Sequence, residues 1–232
     1  MKTTNFLYRA SNHLAWRSEN LMANLQNVVI SQELAKLGCS RANSISTHMT
    51  TRELNTLYAL TQEFGESVKV LEIGSYLGAS SCYIAAALAP QGGHLFCVDT
   101  WENQTMPEGK RDTFSEFQEN LGGLVNYITP IRKNSKDLTI SDVDQPFNLV
   151  FLDGDHSYLG VKNDYEKTAP WIVGGGILAF HDCVAFEGVA RTIGEALASG
   201  LWKFGGQVNN LLWLCKVKKG YLEFEHPAFE RH

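Results

Sequence analysis

Two short stretches of the 232-residue sequence concentrate carboxylates and imidazoles: Asp153-Gly154-Asp155-His156 and His181-Asp182. Each follows a short apolar run, FNLVFLD (147–153) and GILAFHD (176–182). Carboxylates converging from the ends of two strands supply hard oxygen ligands for Mg²⁺ or a similar cation. Such a cation would bind a substrate hydroxyl and lower its pKa. His156 and His181 offer a second route, because an imidazole near its ordinary pKa can remove a hydroxyl proton directly. Asp155 reads as an orienting partner of His156 or as the base itself. The plainer alternative is that strand-end carboxylates cap helices and the histidines are hydrogen-bonded structural groups.

A third stretch points to ligand binding. The run VLEI ends in Glu72-Ile73-Gly74-Ser75-Tyr76-Leu77-Gly78-Ala79-Ser80. Glycines at 74 and 78 let a backbone turn sharply and approach a ligand. The helix that follows presents free amides and a positive dipole end. The spacing is GxxxG rather than GxGxxG, which argues against a nicotinamide cofactor. Asp99 closes the next apolar run, about 20 residues beyond the turn, where a carboxylate can hold ribose hydroxyls. Trp101, just past it, is a candidate to flank an adenine or an acceptor.

The elements that position these residues follow from periodicity. Residues 1–37 read as helical, 40–48 as a loop, and Met49-Thr50-Thr51 as the start of another helix carrying Glu53 in its first turn. From Val68 onward, short apolar runs alternate with helices. Strands are expected at 68–73, 94–99, 126–131, 147–153, 176–182, 202–206 and 210–217, and helices at 79–88, 113–121, 159–171 and 187–199. Strands apolar on both faces and separated by helices make a mostly parallel, doubly covered sheet. Ligands then bind beyond the carboxyl ends of its strands. The last two strands are joined too closely for a parallel crossover, so an antiparallel hairpin closes the sheet. The expected organisation is an N-terminal helical extension or lid (1–48) and one α/β domain (49–232).

Composition narrows the function classes. Hydrophobic residues make up 44% and the net charge is −5. A folded core is expected, and broad electrostatic binding to nucleic acid or anionic membrane is not. No run approaches the roughly 18 apolar residues of a membrane span, and the N-terminus lacks signal-peptide features. Five scattered cysteines without CxxC spacing suit a reducing, cytoplasmic setting and exclude an obvious zinc site. Trp171, Trp202 and Trp213 read as packing residues, and Lys162, Lys167 and Lys216–Lys219 as solvated charge.

VLEIGSYLGASSCYIAAAL followed by HLFCVDTWE resembles the cofactor site of class I S-adenosylmethionine-dependent methyltransferases. The GSYLGAS form is similar to that of catechol and caffeoyl-CoA O-methyltransferases. FLDGDHSYLGVKNDYEKTAPWIVGGGILAFHDC resembles the bacterial group related to sugar O-methyltransferases and the cephalosporin-hydroxylase-like proteins. The resemblance covers roughly residues 50–217. It implies a Rossmann-like seven-stranded sheet with an antiparallel last strand. It also implies that Gly74, Ser75, Tyr76 and Gly78 line the methionine portion, with Glu72 supporting their loop. Ser80 would reach the carboxylate, Asp99 the ribose, and the turn at Asn134-Ser135-Lys136 the adenine.

Metal-bearing relatives place two acids, or an acid and an amide, at the fifth strand tip, whereas this chain has His181-Asp182-Cys183. A His181–Asp182 pair gives a mixed nitrogen–oxygen site suited to Mn²⁺, Fe²⁺ or Zn²⁺; an Asp182–Cys183 pair lacks one usual oxygen ligand.

The resulting expectation is an O-methyltransferase acting on a small-molecule hydroxyl, sugar or phenolic. Asp153, His156 and His181 would be catalytic, with Asp153 also beside the cofactor. Asp153, His181 and Asp182 would hold a divalent metal, Mg²⁺ or Mn²⁺. The expected partner is a small-molecule acceptor rather than nucleic acid or membrane. The N-terminal helices read equally as a pocket cover or a homodimer contact. The alternatives are a cephalosporin-hydroxylase-like protein and a non-catalytic adenosyl-ligand binder of the same fold.

Overall fold

A computed structural model of the chain describes residues 23–103 and 108–218. The first part of the expected N-terminal helix lies outside the described residues; from 23 to 36 the chain is helical (α1). The helix over Thr51–Gln62 (α2) starts with Thr50 as N-cap and Glu53 as its reciprocal partner, a capping box that satisfies two amides at once. The remaining elements alternate: β1 (Lys69–Ile73), α3 (Ala79–Leu88), β2 (His94–Asp99), α4 (Phe114–Leu121), β3 (Ile128–Arg132), β4 (Phe147–Leu152), α5 (Tyr158–Thr168), β5 (Ile172–Phe180), α6 (Glu187–Ala198), β6 (Trp202–Val208) and β7 (Leu211–Lys216). From Val68 onward the expected strands and helices are all present, with ends moved by a few residues.

The seven strands lie in the order β3-β2-β1-β4-β5-β7-β6. β7 inserts antiparallel between β5 and β6, while the pairs among β1 to β5 are parallel. Successive strands are added in opposite directions on either side of the β1–β4 pair, the place where such sheets open a crevice at their carboxyl edge. Both faces are covered. Val70, Leu95 and Leu149 pack with residues of α1, α2 and α3 on one side. Leu71, Val150 and Leu178 pack with Val161 of α5 and with Val189 and Ile193 of α6 on the other. The described part of the N-terminal extension joins the first of these clusters through Ile30, Leu34, Cys39 and Ala42. Among the described residues no helix is long and apolar enough to cross a membrane.

Trp202 is buried and Trp171 and Trp213 pack against the core. Trp101 departs from the expectation of a ligand flank. It is 1% exposed, stacks among Phe114 and Phe117, and donates its indole N–H to the Tyr76 carbonyl at 3.0 Å. Two of the lysines read as solvated are carbonyl clamps instead. Lys216 donates to the carbonyls of Ala169 and Ile172, both at 2.7 Å, and Lys167 to those of Ser135 and Lys136. Carbonyls freed at turn ends need a donor, and a long flexible ammonium reaches them.

Candidate active site

The carboxyl ends of β1 to β5 surround a cavity of about 920 Å³. One half is built by the turn after β1. Gly74 has φ +88° and Gly78 φ +89°, a region that costs other residues roughly 1–2 kcal/mol. Non-glycine Tyr76 is also left-handed, at φ 46°. The turn is held by one side chain: Asp99 Oδ2 accepts the amides of Ser75 at 2.8 Å and Tyr76 at 2.9 Å, and its Oδ1 accepts that of Trp101 at 2.7 Å. Three amides aimed at one carboxylate fix the loop and leave Oδ1 able to accept another hydrogen bond.

Glu72 supports this loop from beneath. It is fully buried and accepts hydrogen bonds from the hydroxyls of Ser75, at 2.7 Å, and Ser81, and from the Cys97 thiol at 3.2 Å. Burial pushes its carboxyl pKa up, and these donors offset that only in part. Gly74, Ser75, Tyr76, Ser80, Asp99 and Ser135 all line the cavity, together with Asn134 and Lys136. Glu72 and Gly78 do not line it. Gly78 instead caps α3, and a β-carbon there would meet the Phe117 ring at 3.0 Å. Ser75 presents backbone, its hydroxyl being turned to Glu72.

The other half holds the acidic and imidazole groups. The ladder runs one step past the strands: the Asp153 amide donates to the Ile73 carbonyl at 2.8 Å and the His181 amide to that of Leu152 at 3.0 Å. These bonds set both strand tips side by side. His181 Nδ1 lies 3.2 Å from Asp153 Oδ1 and 3.6 Å from Asp182 Oδ2. His156 Nε2 lies 3.2 Å from Asp182 Oδ2 and 3.7 Å from Asp153 Oδ1. Asp182 reaches inward through a left-handed backbone, φ 57°.

Burial disfavours the His181 imidazolium, but Asp153, Asp182 and Glu53 outweigh it and push the pKa up to about 12. The nearby Asp153 carboxylate raises that of His156 as well. Burial would raise Asp153, yet both imidazoles hold it below its ordinary value. Both imidazoles thus face these carboxylates where a cation would sit.

The donor set fits a divalent metal. One atom each of Asp153, His181 and Asp182 lie within 4.8 Å of one another, a spacing compatible with metal–ligand bonds of about 2.0–2.2 Å. The nitrogen is supplied by His181, so the pair at the β5 tip is His181–Asp182; Cys183 is buried in the core on the α5–α6 side. Asp155 does not orient His156. Its Oδ1 accepts the Ser157 amide at 2.8 Å at the start of α5, while Phe186 stacks on the His156 ring with centroids 4.5 Å apart.

Several lining residues carried no signal in the sequence. Thr47, His48 and Met49 enter from the loop before α2, Arg132 from the end of β3, and Thr100, Asn103, Lys133 and Phe186 from loops after strands. They are unremarkable in type and reach the cavity only through the tertiary fold. Glu53 was legible as a helix-start residue; its second contact, Oε1 at 3.6 Å from His181 Nε2, was not.

Residues 71–183 match the sequence model of a family described as a methyltransferase domain. Similar solved structures include the O-methyltransferase NovP, at 11% identity and TM-score 0.61, covering 86% of this chain and 99% of that one. An O-methyltransferase from Bacillus cereus in complex with SAH is 16% identical with TM-score 0.54, covering 81% and 90%. CalS11, a TDP-rhamnose 3′-O-methyltransferase, is 14% identical with TM-score 0.53, covering 85% and 94%. At such identities these likenesses establish the fold, and residues 71–183 are what resembles a methyltransferase domain in sequence.

Proposed function

We propose that this chain is a class I S-adenosylmethionine-dependent methyltransferase, in keeping with the methyltransferase-domain match over residues 71–183, and that it methylates the hydroxyl of a small molecule, a sugar or a phenol, with help from a divalent cation. The observation that carries this reading is the adjacency of the Gly74–Tyr76 turn to the cluster of Asp153, His156, His181 and Asp182 in one cavity. A methyl donor and a proton-removing group must lie that close for an in-line transfer.

In this reading Asp99 holds the ribose, the Gly74 turn and Ser80 the methionine portion, and the Ser135 turn the adenine. Asp153, His181 and Asp182 hold the cation. When bound, the cation supplies Lewis acidity that makes an acceptor hydroxyl easier to ionise. His156, whose Nε2 faces Asp182 and Asp153, takes the hydroxyl proton at its other ring nitrogen, Nδ1. The acceptor oxygen forms its bond to the methyl carbon as the carbon–sulfur bond breaks, leaving a neutral thioether and a protonated imidazole. Phe186, stacked on His156, keeps that ring from turning and forms the wall on the acceptor side. The turn glycines bring backbone close to the donor and exclude water from the reacting atoms.

The test is an acceptor screen with S-adenosylmethionine and panels of sugars, nucleoside diphosphate sugars and catechol-type phenols, each with Mg²⁺, Mn²⁺ or EDTA. Release of S-adenosylhomocysteine with one methyl gained on acceptor oxygen is expected for one of these classes. Methylation confined to nitrogen or carbon acceptors would overturn the reading.

A further inference from the structure

We propose that Glu53 is a positioning residue for the cation site, holding the His181 ring so that Nδ1 is the atom offered to the metal. This rests on the cation reading above and deepens it.

Glu53 is 1% exposed although it begins a helix. Its Oε2 accepts the Thr50 amide at 2.6 Å and the Thr50 hydroxyl at 2.9 Å, which completes the capping box. Its Oε1 faces the other way. That oxygen accepts the Asn210 amide, from the β6–β7 turn, at 2.8 Å, and lies 3.6 Å from His181 Nε2. Asn209 closes the frame by donating to the Thr50 hydroxyl at 3.0 Å. A helix start and a hairpin turn, distant in sequence, are therefore joined through one carboxylate that ends at the imidazole. A capping box alone needs only a polar group at the surface and leaves the burial of Oε1 against a histidine unexplained.

The two ring nitrogens of His181 meet acceptors on opposite sides: Glu53 at Nε2, Asp153 and Asp182 at Nδ1. His181 Nε2 also has no hydrogen-bond partner within 3.5 Å, so the Glu53 carboxylate is what that nitrogen faces. A neutral imidazole has one N–H, and it goes to the acceptor that cannot be replaced by a metal. With Glu53 a carboxylate, the N–H sits on Nε2 and the Nδ1 lone pair points into the cluster. Histidines that bind metals are held by a carboxylate or carbonyl in this way, and loss of that partner typically costs about 10–100-fold in affinity.

Glu53→Gln separates this role from capping. A Gln side chain still completes a capping box, but one oxygen becomes an NH₂. If the NH₂ faces His181 it favours the Nδ1–H tautomer, which cannot ligate. If it faces Thr50, the cap is lost instead.

The experiment is calorimetric titration of metal-free full-length protein with Mn²⁺, Zn²⁺ and Mg²⁺, for wild type, Glu53→Gln, Glu53→Ala and Thr50→Ala. Each is also titrated with S-adenosylhomocysteine. The expected result is at least a tenfold loss of Mn²⁺ and Zn²⁺ affinity in Glu53→Gln, with nucleoside affinity kept. Thr50→Ala, which weakens the cap but leaves Glu53 Oε1 in place, keeps metal affinity within about twofold. Equal metal affinity in wild type and in both Glu53→Gln and Glu53→Ala, the latter leaving no oxygen to face His181, overturns the proposal and leaves the cation reading standing; absence of metal binding in wild type overturns both. Loss of nucleoside and metal binding together in Glu53→Gln points to a structural role and also overturns it. Should the variant not fold, long-range ¹H–¹⁵N spectra of zinc-loaded wild type decide. The metal shift is expected on His181 Nδ1 with the proton on Nε2, and the reverse assignment overturns the proposal.

Discussion

A β-carbon added to Gly74 would lie 2.1 Å from the carbonyl oxygen of Asp153. The turn that follows β1 is thereby pressed against the tip of β4, and the two halves of the cavity share a wall of backbone. Gly74→Ala combines a left-handed φ with this collision, so the strands or the turn must move. We expect a stability loss above the ~1–2 kcal/mol of the backbone conformation alone. A loss of at least tenfold in S-adenosylhomocysteine affinity should accompany it, read by urea unfolding and calorimetry. Wild-type values for both would mean the turn has room that the structure denies it.

Lys167 reaches across from α5 to the turn at Ser135 and Lys136, donating to their carbonyls at 2.6 and 2.7 Å. The same turn lines the cavity where the adenine is proposed to sit. Lys167→Met keeps the stem and removes the donors. It should weaken nucleoside binding several-fold while leaving cation affinity unchanged, as measured by paired titrations. An unchanged nucleoside affinity would return Lys167 to the solvated surface role its sequence suggested.

Glu72 gives a pH signature. Its folded pKa lies above its ordinary value of 4.5 because of burial. Between those two values the folded chain binds more protons than the unfolded one, so stability falls as pH rises through that interval and stays lower above it. Below pH 4.5 both states hold the proton and the penalty vanishes. Glu72→Gln has nothing to titrate there. The difference in melting temperature, Glu72→Gln minus wild type, should therefore grow as pH is raised from 4 to 8. A difference that shrinks over that range would mean the carboxylate is stabilised charged by its hydroxyl donors.

Removing divalent cations should slow methyl transfer without preventing donor binding, because the two halves of the cavity use different residues. Turnover lost to EDTA should return with Mn²⁺ more fully than with Mg²⁺, since His181 puts a nitrogen among the ligands. His156→Asn should lower kcat by about 100-fold or more with nucleoside affinity within about twofold. Full turnover in EDTA would leave proton removal to His156 alone.

The sheet was legible because its strands are short apolar runs separated by helices of ordinary length, and period and turn chemistry agree along VLEIGSYLG and HLFCVD. The cluster of Asp153, His156, His181 and Asp182 was legible because strand-end residues share one edge. Asp155 was misleading: next to His156 in sequence, it is turned toward Ser157 and α5 by a local hydrogen bond. Trp101 was misread for a similar reason, since a left-handed backbone, φ 50°, swings it from the cavity into the core. Gly78 looked like a ligand-facing glycine but is needed by the Phe117 ring. Glu53 and Lys167 carry surface-type side chains whose partners lie far away in sequence, at His181 and Ser135, and no local pattern encodes such contacts.

The crevice bounded by Gly74 and Asp99 is the proposed seat of the adenosyl donor. Calorimetric titration with S-adenosylhomocysteine of wild type and Asp99→Asn tests it most directly. In the variant one carboxylate oxygen becomes a donor facing either Trp101 or the Ser75 and Tyr76 amides, and an unmade buried hydrogen bond costs about 1–3 kcal/mol. Micromolar binding by wild type, weakened at least tenfold in Asp99→Asn, is the predicted result. No binding by wild type, or equal binding by the two proteins, would contradict it.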